Sequence, residues 1–303
     1  MAGLQDIRRR IDSTKKTSQI TSAMQMVSSS KLSQIQKHTS GYLDYANHVE
    51  AIVAHLAATH LLDSQAEGTI PFITQRPVKN TALLVITSDR GLVGGYNNQV
   101  LKQADQIMAD QKLTTQNTVI FAVGGKGSDY YAKKGFTIAF EDREITDVPK
   151  FWEVSPLVKE ITKQYSAHKF DALEIVYNHF INRLRNQVVD QFVLPIRAEN
   201  FKRDSEGNLS ADKYKSRARD YDFEPAPETL LKAVLPQFTQ SLLYGAVLDS
   251  KTAEHAASAN AMQTATDNAK DLISTLGLKY NRARQAAITT EITEITGGMA
   301  ALQ

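Results

Sequence analysis

Two stretches at the ends of the chain decide its fold, and the first is LQDIRRRIDSTKKTSQITSAMQMVSSSKLSQIQKHTSGYLDYANHVEAIVAHLAATH, residues 4–60. It contains one glycine, Gly41, and no proline, so little interrupts a helix of roughly 55 residues. The second stretch runs from Pro236 to Ala301 without a further proline and predicts another helix, of roughly 60 residues. Few helices of globular proteins are this long. The ends therefore predict long helices on either side of a different kind of domain.

Both stretches carry a heptad repeat, which defines one seam along each helix. The seam of the first stretch is apolar at its ends and polar in its middle third, and it consists of Leu4, Ile7, Ile11, Thr14, Ser18, Thr21, Gln25, Ser28, Leu32, Ile35, Thr39, Tyr42, Ala46, Val49, Val53 and Leu56. The seam of the second stretch is mostly small, and it consists of Leu248, Thr252, His255, Ala259, Met262, Thr266, Ala269, Ile273, Leu276, Tyr280, Ala283 and Ala287. Small seam residues allow a partner helix to approach closely.

A second apolar stripe accompanies the polar part of the first seam. Ile20, Met24 and Val27 lie on a rotated face, and they predict that the repeat shifts there as it does at a stutter. A helix with so narrow a seam must be stabilised by packing against a partner. The other terminal helix is the economical partner, which predicts an antiparallel two-helix coiled coil projecting from the middle domain. A helical bundle within one globule remains the alternative.

The middle of the chain alternates between short strand patterns and helical ones. The predicted strands are TALLVIT (81–87), TVIFAVG (118–124), FTIAF (136–140), ALEIVYNHF (172–180) and QVVDQFVLPI (187–196), the last two forming an antiparallel hairpin across the turn 182–186. Strands that alternate with helices predict a central Rossmann-like α/β domain. We therefore expect four regions: an N-terminal coiled-coil helix (1–65), the α/β domain (70–200), a polar linker and foot (201–227) and a C-terminal coiled-coil helix (228–303).

Composition limits the possible functions. The chain has 303 residues, a net charge of +2, 42% apolar residues and no cysteine. Near neutrality argues against general nucleic-acid binding, and the lack of cysteine excludes disulfides and thiolate metal sites. We expect a soluble, cytoplasmic chain, because charged residues follow the first methionine where a signal peptide would be apolar.

Candidate sites for chemistry are few. The loops SDRGLVGGYN (88–97) and GGKGS (124–128) follow strands, but Gly127 stands where a P-loop needs Ser or Thr, and the glycines lack the dinucleotide spacing. The histidines His55 and His60 are five residues apart, which does not suit a zinc pair on a helix. We therefore expect no cofactor, no metal and no catalysis. Two alternatives remain open: a nucleotide-binding α/β enzyme with helical extensions, and a basic N-terminal arm that binds nucleic acid.

Four blocks of the chain resemble the gamma subunit of F-type ATP synthases. They are QITSAMQMVSSSKL (19–32), ITSDRGLVGGYN (86–97), NHFINRLRNQV (178–188) and YNRARQAAITTEITEITGG (280–298), and they occur in the family's order. The resemblance covers the whole chain and implies a non-catalytic rotor shaft. In that family, proton flow turns a membrane-embedded c ring, and the shaft turns with it inside a ring of alpha and beta subunits.

The resemblance also implies partners, location and contact residues. The partners are the alpha and beta subunits, the epsilon subunit and the c ring, with no nucleic acid and with only indirect membrane association. The location is peripheral, on the cytoplasmic face of the bacterial cell membrane. By resemblance, Arg284 and Gln285 meet the beta-subunit catch loop, Met24 is the shaft methionine that couples rotation, and Tyr221 and Glu224 form the foot that contacts the c ring.

Overall fold

The computed structural model describes residues 3–58, 71–196 and 227–300. In chain order the elements are α1 (Leu4–Ala58), β1 (Thr81–Ile86), α2 (Tyr96–Asp110), β2 (Thr118–Val123), α3 (Gly125–Lys133), β3 (Thr137–Asp142), α4 (Phe151–Ser166), β4 (Ala172–Phe180), β5 (Asn186–Leu194) and α5 (Pro227–Ala300). They divide into two compact units, one of residues Ser30–Ala257 and one of Met1–Ser29 with Ser258–Gln303.

The last helix begins before the stretch from which it was predicted. Helix α5 starts at Pro227, and Pro236 lies inside it. Proline suits the first position of a helix because its missing N–H would have no partner there. At Pro236 one backbone hydrogen bond is lost, but the neighbouring Leu235 and Phe238 are buried in the core, and their packing holds the helix.

The larger unit, residues 30–257, is built around a five-stranded sheet in the order β3-β2-β1-β4-β5. Strands β1, β2, β3 and β4 pair in parallel, and β5 is antiparallel to β4. The predicted Rossmann-like α/β domain is confirmed by this parallel-dominated sheet. Because the first four strands are parallel, the loops that follow them all leave from the same edge, which we call the carboxyl edge.

Helices cover both faces of the sheet. Successive residues of β1 point to opposite faces, so Leu83 and Val85 pack in one core cluster while Leu84 and Ile86 pack in another. Helices α2 and α3 supply the first cluster, and α4, α1 and α5 supply the second. Continuous burial of β1 on both faces is what a parallel sheet with helices on each side requires.

Helices α1 and α5 also pair with each other inside this unit. The Tyr42 hydroxyl donates to the carbonyl oxygen of Ser241 at 2.8 Å, and His38 Nε2 lies 3.1 Å from the Tyr244 hydroxyl. The partner's number on α5 rises as the residue number on α1 falls, so the two helices are antiparallel. The rings of Tyr42 and Tyr244 meet edge to face at 4.7 Å between centroids.

The smaller unit consists of the remaining parts of the same two helices. Thr21 Oγ1 and Thr266 Oγ1 are 2.7 Å apart, and Ser28 Oγ and Ser258 Oγ are 3.0 Å apart, so the pairing is again antiparallel. Every predicted seam position of both helices in this unit is buried or half-buried. The predicted antiparallel two-helix coiled coil is thereby confirmed.

The predicted stutter in α1 is wrong. Ile20 is 60% exposed and Val27 is 54% exposed, while the polar seam residues Thr21 and Ser28 face α5. Small hydroxyl side chains let the helices approach, and hydrogen bonds across the seam satisfy the buried polar groups. The seam therefore continues unshifted through its polar third; Ile20 and Val27 stay on the surface, and Met24 is half-buried.

Candidate functional site

Three of the predicted contact residues lie in the smaller unit. Met24 is half-buried on α1, next to the seam residue Thr21, and Arg284 and Gln285 are exposed on α5. The side chains of Arg284 and Gln285 form no ion pair or hydrogen bond with another residue that the structure describes; the Thr289 hydroxyl donates to the backbone carbonyl of Gln285 at 2.9 Å. The side chains of Arg284 and Gln285 are thus available to another molecule. Met24 lies about one helical turn from the seam residue Thr21.

The end of α5 presents a surface of its own. Ala287 is the last half-buried residue that the structure describes, and residues 288–299 are exposed throughout. The apolar members of this segment recur at steps of four, three and four, and they are Ile288 at 47%, Ile292 at 57%, Ile295 at 65% and Met299 at 65% exposure. An apolar stripe with this spacing is the pattern that a helix uses to pack against a partner.

The two predicted foot residues, Tyr221 and Glu224, lie outside the described residues. Their contact with a c ring therefore stays a prediction from the resemblance.

The glycine-rich loop after β2 is closed by the chain itself. The first amides of α3 each donate to the loop after β1: Gly125 N to Asp89 Oδ1 at 2.9 Å, Lys126 N to the Ser88 carbonyl at 3.2 Å, and Gly127 N to Thr87 Oγ1 at 2.8 Å. Free amides at a helix start are what bind a phosphate in nucleotide sites. Here a carboxylate, a carbonyl and a hydroxyl of the chain occupy that position.

The backbone conformation at Gly124 shows why the loop after β2 needs glycine at this position. Its φ of +90° is a conformation that side chains with a Cβ rarely adopt, and a Cβ built there would lie 2.1 Å from the Thr87 carbonyl oxygen. The glycine thus permits two backbone segments to touch. This is a structural use of the loop, as expected for turns that join strands to helices.

Calorimetric titration of the full chain with ATP, ADP or NAD is expected to give no heat of binding. The physical reason is that the amides at the start of α3 already have partners in the folded chain, as described above. Asp89→Ala, which frees the amide of Gly125, is the matched variant that reveals how far the carboxylate blocks anions. A saturable heat with the unmodified chain would contradict this prediction and favour the nucleotide-binding alternative.

A set of polar contacts attaches the carboxyl edge of the sheet to the two long helices in the larger unit. We call it the edge clamp. The Tyr96 hydroxyl, on α2, donates to the Ser250 carbonyl on α5 at 2.8 Å. Phe180 N, at the end of β4, donates to Asp249 Oδ1 at 2.9 Å, and His179 Nδ1 lies 2.6 Å from Asp249 Oδ2.

The loop after β3 completes the edge clamp. Lys31 Nζ on α1 is 2.7 Å from Asp147 Oδ2, and His255 Nε2 on α5 is 3.0 Å from the Asp147 carbonyl. The Tyr244 hydroxyl donates to the carbonyl of Pro149 at 2.9 Å. The start of α2, the loop after β3 and the end of β4 are therefore all bonded to the helix pair, so the sheet edge and the helices resist turning separately within this unit.

The electrostatics of the edge clamp favour these contacts. Burial alone would raise the pKa of Asp147, but the hydrogen bond and charge of Lys31, with His255 and Lys251 nearby, outweigh it and lower that pKa. Burial, with the charge of Glu254, raises the pKa of the Tyr96 hydroxyl well above its ordinary value. The carboxylate thus stays ionised as an acceptor and the phenol stays protonated as a donor.

Sequence reasoning did not identify the edge clamp, although it quoted some of its residues. Tyr96 belongs to the block ITSDRGLVGGYN, and His179 and Phe180 belong to NHFINRLRNQV. Asp249 is a carboxylate that directly follows apolar residues of α5, and this was a further sign in the sequence of a polar contact at this place. Their partners are distant in the chain, so no spacing rule connects them.

The described part of the chain contains no group of three or more histidine and carboxylate side chains that could hold a metal ion. Within the same residues, no helix is both long enough and apolar enough to span a bilayer.

Known sequences resemble the chain over its whole length. A family model described as ATP synthase matches residues 3–302. The ATP synthase gamma chain of Oenococcus oeni is 82% identical over 303 residues, covering all of both chains. The gamma chains of Leuconostoc citreum and Lactiplantibacillus plantarum are each 56% identical, the latter covering 98% of both chains.

Solved structures share the fold. A chain of the Euglena gracilis mitochondrial ATP synthase, from a structure described as OSCP/F1/c-ring, has a TM-score of 0.61 at 17% identity, covering 99% of this chain and 94% of that one. A chain from the central stalk and c ring of the Tetrahymena thermophila mitochondrial ATP synthase has a TM-score of 0.56 at 22% identity, covering 81% of this chain and 99% of that one. At such identities the likeness concerns the fold alone.

Proposed function

The chain belongs to the ATP synthase gamma-chain family, and from this premise we propose that it is the non-catalytic rotor shaft of such a complex. The shaft would couple rotation of a c ring, driven by protons, to changes of nucleotide state in the beta subunits. The observation that carries this proposal is the antiparallel pairing of α1 with α5, which is found in each of the two units. Two paired helices resist bending and twisting better than one.

The partners and the location follow from the same proposal. The shaft would contact the alpha and beta subunits and the epsilon subunit, and its foot, with Tyr221 and Glu224, would contact the c ring. It would lie peripherally on the cytoplasmic face of the cell membrane, held there through the c ring. Purification of the tagged chain followed by mass spectrometry tests these partners, and absence of alpha and beta subunits would contradict the proposal.

Rotation can drive a beta subunit only if some contact differs in free energy between orientations of the shaft. Contacts that are equally good in every orientation shift no equilibrium. Arg284 and Gln285 suit such a contact because both are exposed and neither side chain bonds to another residue of the described chain. The planar guanidinium of Arg284 can hold a carboxylate through two parallel hydrogen bonds.

Replacing Arg284 by alanine is expected to lower ATP synthesis and ATP-driven pumping of the assembled complex by about tenfold, since a hydrogen bond to a charged group contributes about 1.5–3 kcal/mol. Arg282→Ala is the matched control, because Arg282 is an exposed arginine of the same helix that faces another direction. Coupled rates would be measured in vesicles containing the complex. If Arg284→Ala and Arg282→Ala behave alike, Arg284 has no special part in the mechanism.

A further inference from the structure

We propose that the turn between β4 and β5, residues 181–185, docks into an apolar pocket with an acidic rim on another subunit of the complex. The inference rests on the proposed function, because it requires that the chain works among other subunits. The turn is at the carboxyl edge of the sheet, where β4 ends at Phe180 and β5 begins at Asn186.

The turn is a defined structure. Asn182 Oδ1 accepts hydrogen bonds from Leu184 N and from Arg185 N, each at 2.9 Å. Asn182 N donates to the Arg185 carbonyl at 3.0 Å, and Ile181 N donates to the same carbonyl at 3.2 Å. These bonds hold the backbone of the turn in one shape, so a partner would meet a surface that is already formed.

This shape directs apolar side chains into water. Leu184 is 86% exposed, the highest value among the large apolar side chains that the structure describes, and Ile181 is 41% exposed. Exposing a leucine so fully forgoes the stabilisation that burial would provide. A protruding side chain can act as an anchor that fills a pocket on a partner, and here it stands beside arginine, a residue type enriched where protein interfaces bind most strongly.

The charge of the turn specifies the rim of that pocket. Arg183 and Arg185 flank Leu184, and the turn carries no acidic residue. Arg183 already has an interaction within the chain, so Arg185 is the cation that a partner would meet. Arginine pairs with carboxylates in a planar, two-bonded geometry, and complementary charge gives an interface its specificity. The pocket that fits the turn is therefore apolar at its centre and lined with Asp or Glu at its edge.

The edge clamp gives such a contact a mechanical consequence. Asp249 of α5 holds both Phe180 N and His179, the residues that precede the turn. Phe180 also packs in a cluster with Tyr96 and Ala253. A force applied at the turn is thus passed to α5 through short contacts, so docking there would load the helix directly.

A protein pocket suits the turn better than a membrane or a nucleic acid. Two apolar side chains are too few for lasting attachment to a bilayer, which requires much more buried apolar area. Two arginines release few counterions from a nucleic acid, and the chain as a whole has a net charge of only +2. The observations therefore favour a neighbouring subunit.

The chain has no native cysteine, so single cysteines can report on this turn. Leu184→Cys and Val78→Cys would be prepared separately, since Val78 is 50% exposed and precedes β1, away from the carboxyl edge. Their rates of labelling by a maleimide would be compared in the free chain and in the assembled complex. We expect assembly to slow labelling at Leu184→Cys by about tenfold or more, because an anchor pocket excludes water, and to change Val78→Cys much less.

A second arm tests the charge of the rim. A photo-crosslinker attached to Leu184→Cys should capture a subunit peptide that contains Asp or Glu beside apolar residues. Adding Arg185→Glu should restore rapid labelling, whereas Arg185→Lys should restore it less. Labelling that is equally fast in the free and assembled states, a crosslink to lipid or nucleic acid, or no effect of Arg185→Glu would each overturn the inference while the rotor proposal stands. Failure of the unmodified chain to assemble with other subunits would instead overturn both.

Discussion

Replacing Gly124 by alanine is expected to lower the free energy of unfolding by about 3–5 kcal/mol, the largest effect that we foresee for a single methyl group. Two costs add at this position. The φ of +90° is unfavourable for any residue with a Cβ, and the new Cβ would meet the Thr87 carbonyl oxygen at 2.1 Å. A backbone atom cannot move aside as a flexible side chain can, so the β1 and β2 loops must separate. Urea unfolding of the full chain, followed by near-ultraviolet circular dichroism, measures the loss.

Gly135→Ala is the control that separates the two costs. Gly135 has a φ of +80°, but nothing lies within 4 Å of the position where its Cβ would be. Alanine there should cost only the conformational part, about 1–2 kcal/mol. Equal losses at Gly124 and Gly135 would mean that contact with Thr87 is relieved easily, and that the close approach does not determine the choice of glycine.

Met24→Lys is expected to reduce coupled proton pumping several-fold more than it reduces ATP hydrolysis in the assembled complex. Met24 is half-buried beside the seam, so an ammonium placed there is only partly hydrated. If it pairs with a carboxylate of one beta subunit, that orientation of the shaft is favoured over the others. Each 1.4 kcal/mol of such preference slows departure about tenfold. Pumping and hydrolysis would be measured on the same vesicles.

The conservative variant Met24→Leu controls for packing, because leucine has a similar volume and no charge. It should leave both rates close to those of the unmodified complex. Raising the salt concentration should partly correct Met24→Lys, since ion pairs near water are screened. Equal losses of pumping and hydrolysis in Met24→Lys would contradict the explanation and indicate general damage to the helix pair.

Much of the fold followed from local patterns in the sequence. The heptad steps placed Thr21, Thr266 and Leu276 on the seam, and all three face it in the structure. The pattern works because helix geometry determines which residues share a face, whatever the partner is. Strand β4, predicted at residues 172–180, was found with those bounds for a similar reason, since it is rich in apolar and β-branched residues and ends at a turn.

The local sequence of α1 did not determine which of its two candidate faces packs against α5. Apolar content favoured Ile20 and Val27, yet the structure exposes them and turns Thr21 and Ser28 toward α5. What decided this was the partner, whose residues Ser258 and Thr266 are small and carry hydroxyl groups. The small residues of α5 let the helices approach closely, and their hydroxyl groups form hydrogen bonds with Thr21 and Ser28. The sequence of α1 alone shows neither the close approach nor these hydrogen bonds.

The long helices, the alternating strands of the α/β domain and the family can be inferred without a structure, because periodicity and motifs depend on neighbouring residues. How the loops are used depends instead on tertiary contacts. Asp89 closes the start of α3, and Asp249 holds the end of β4, through contacts between residues that lie far apart in the chain. Such contacts arise because parallel strands bring their loops to one edge of the sheet. The spacing of residues along the chain does not show which distant residues come into contact.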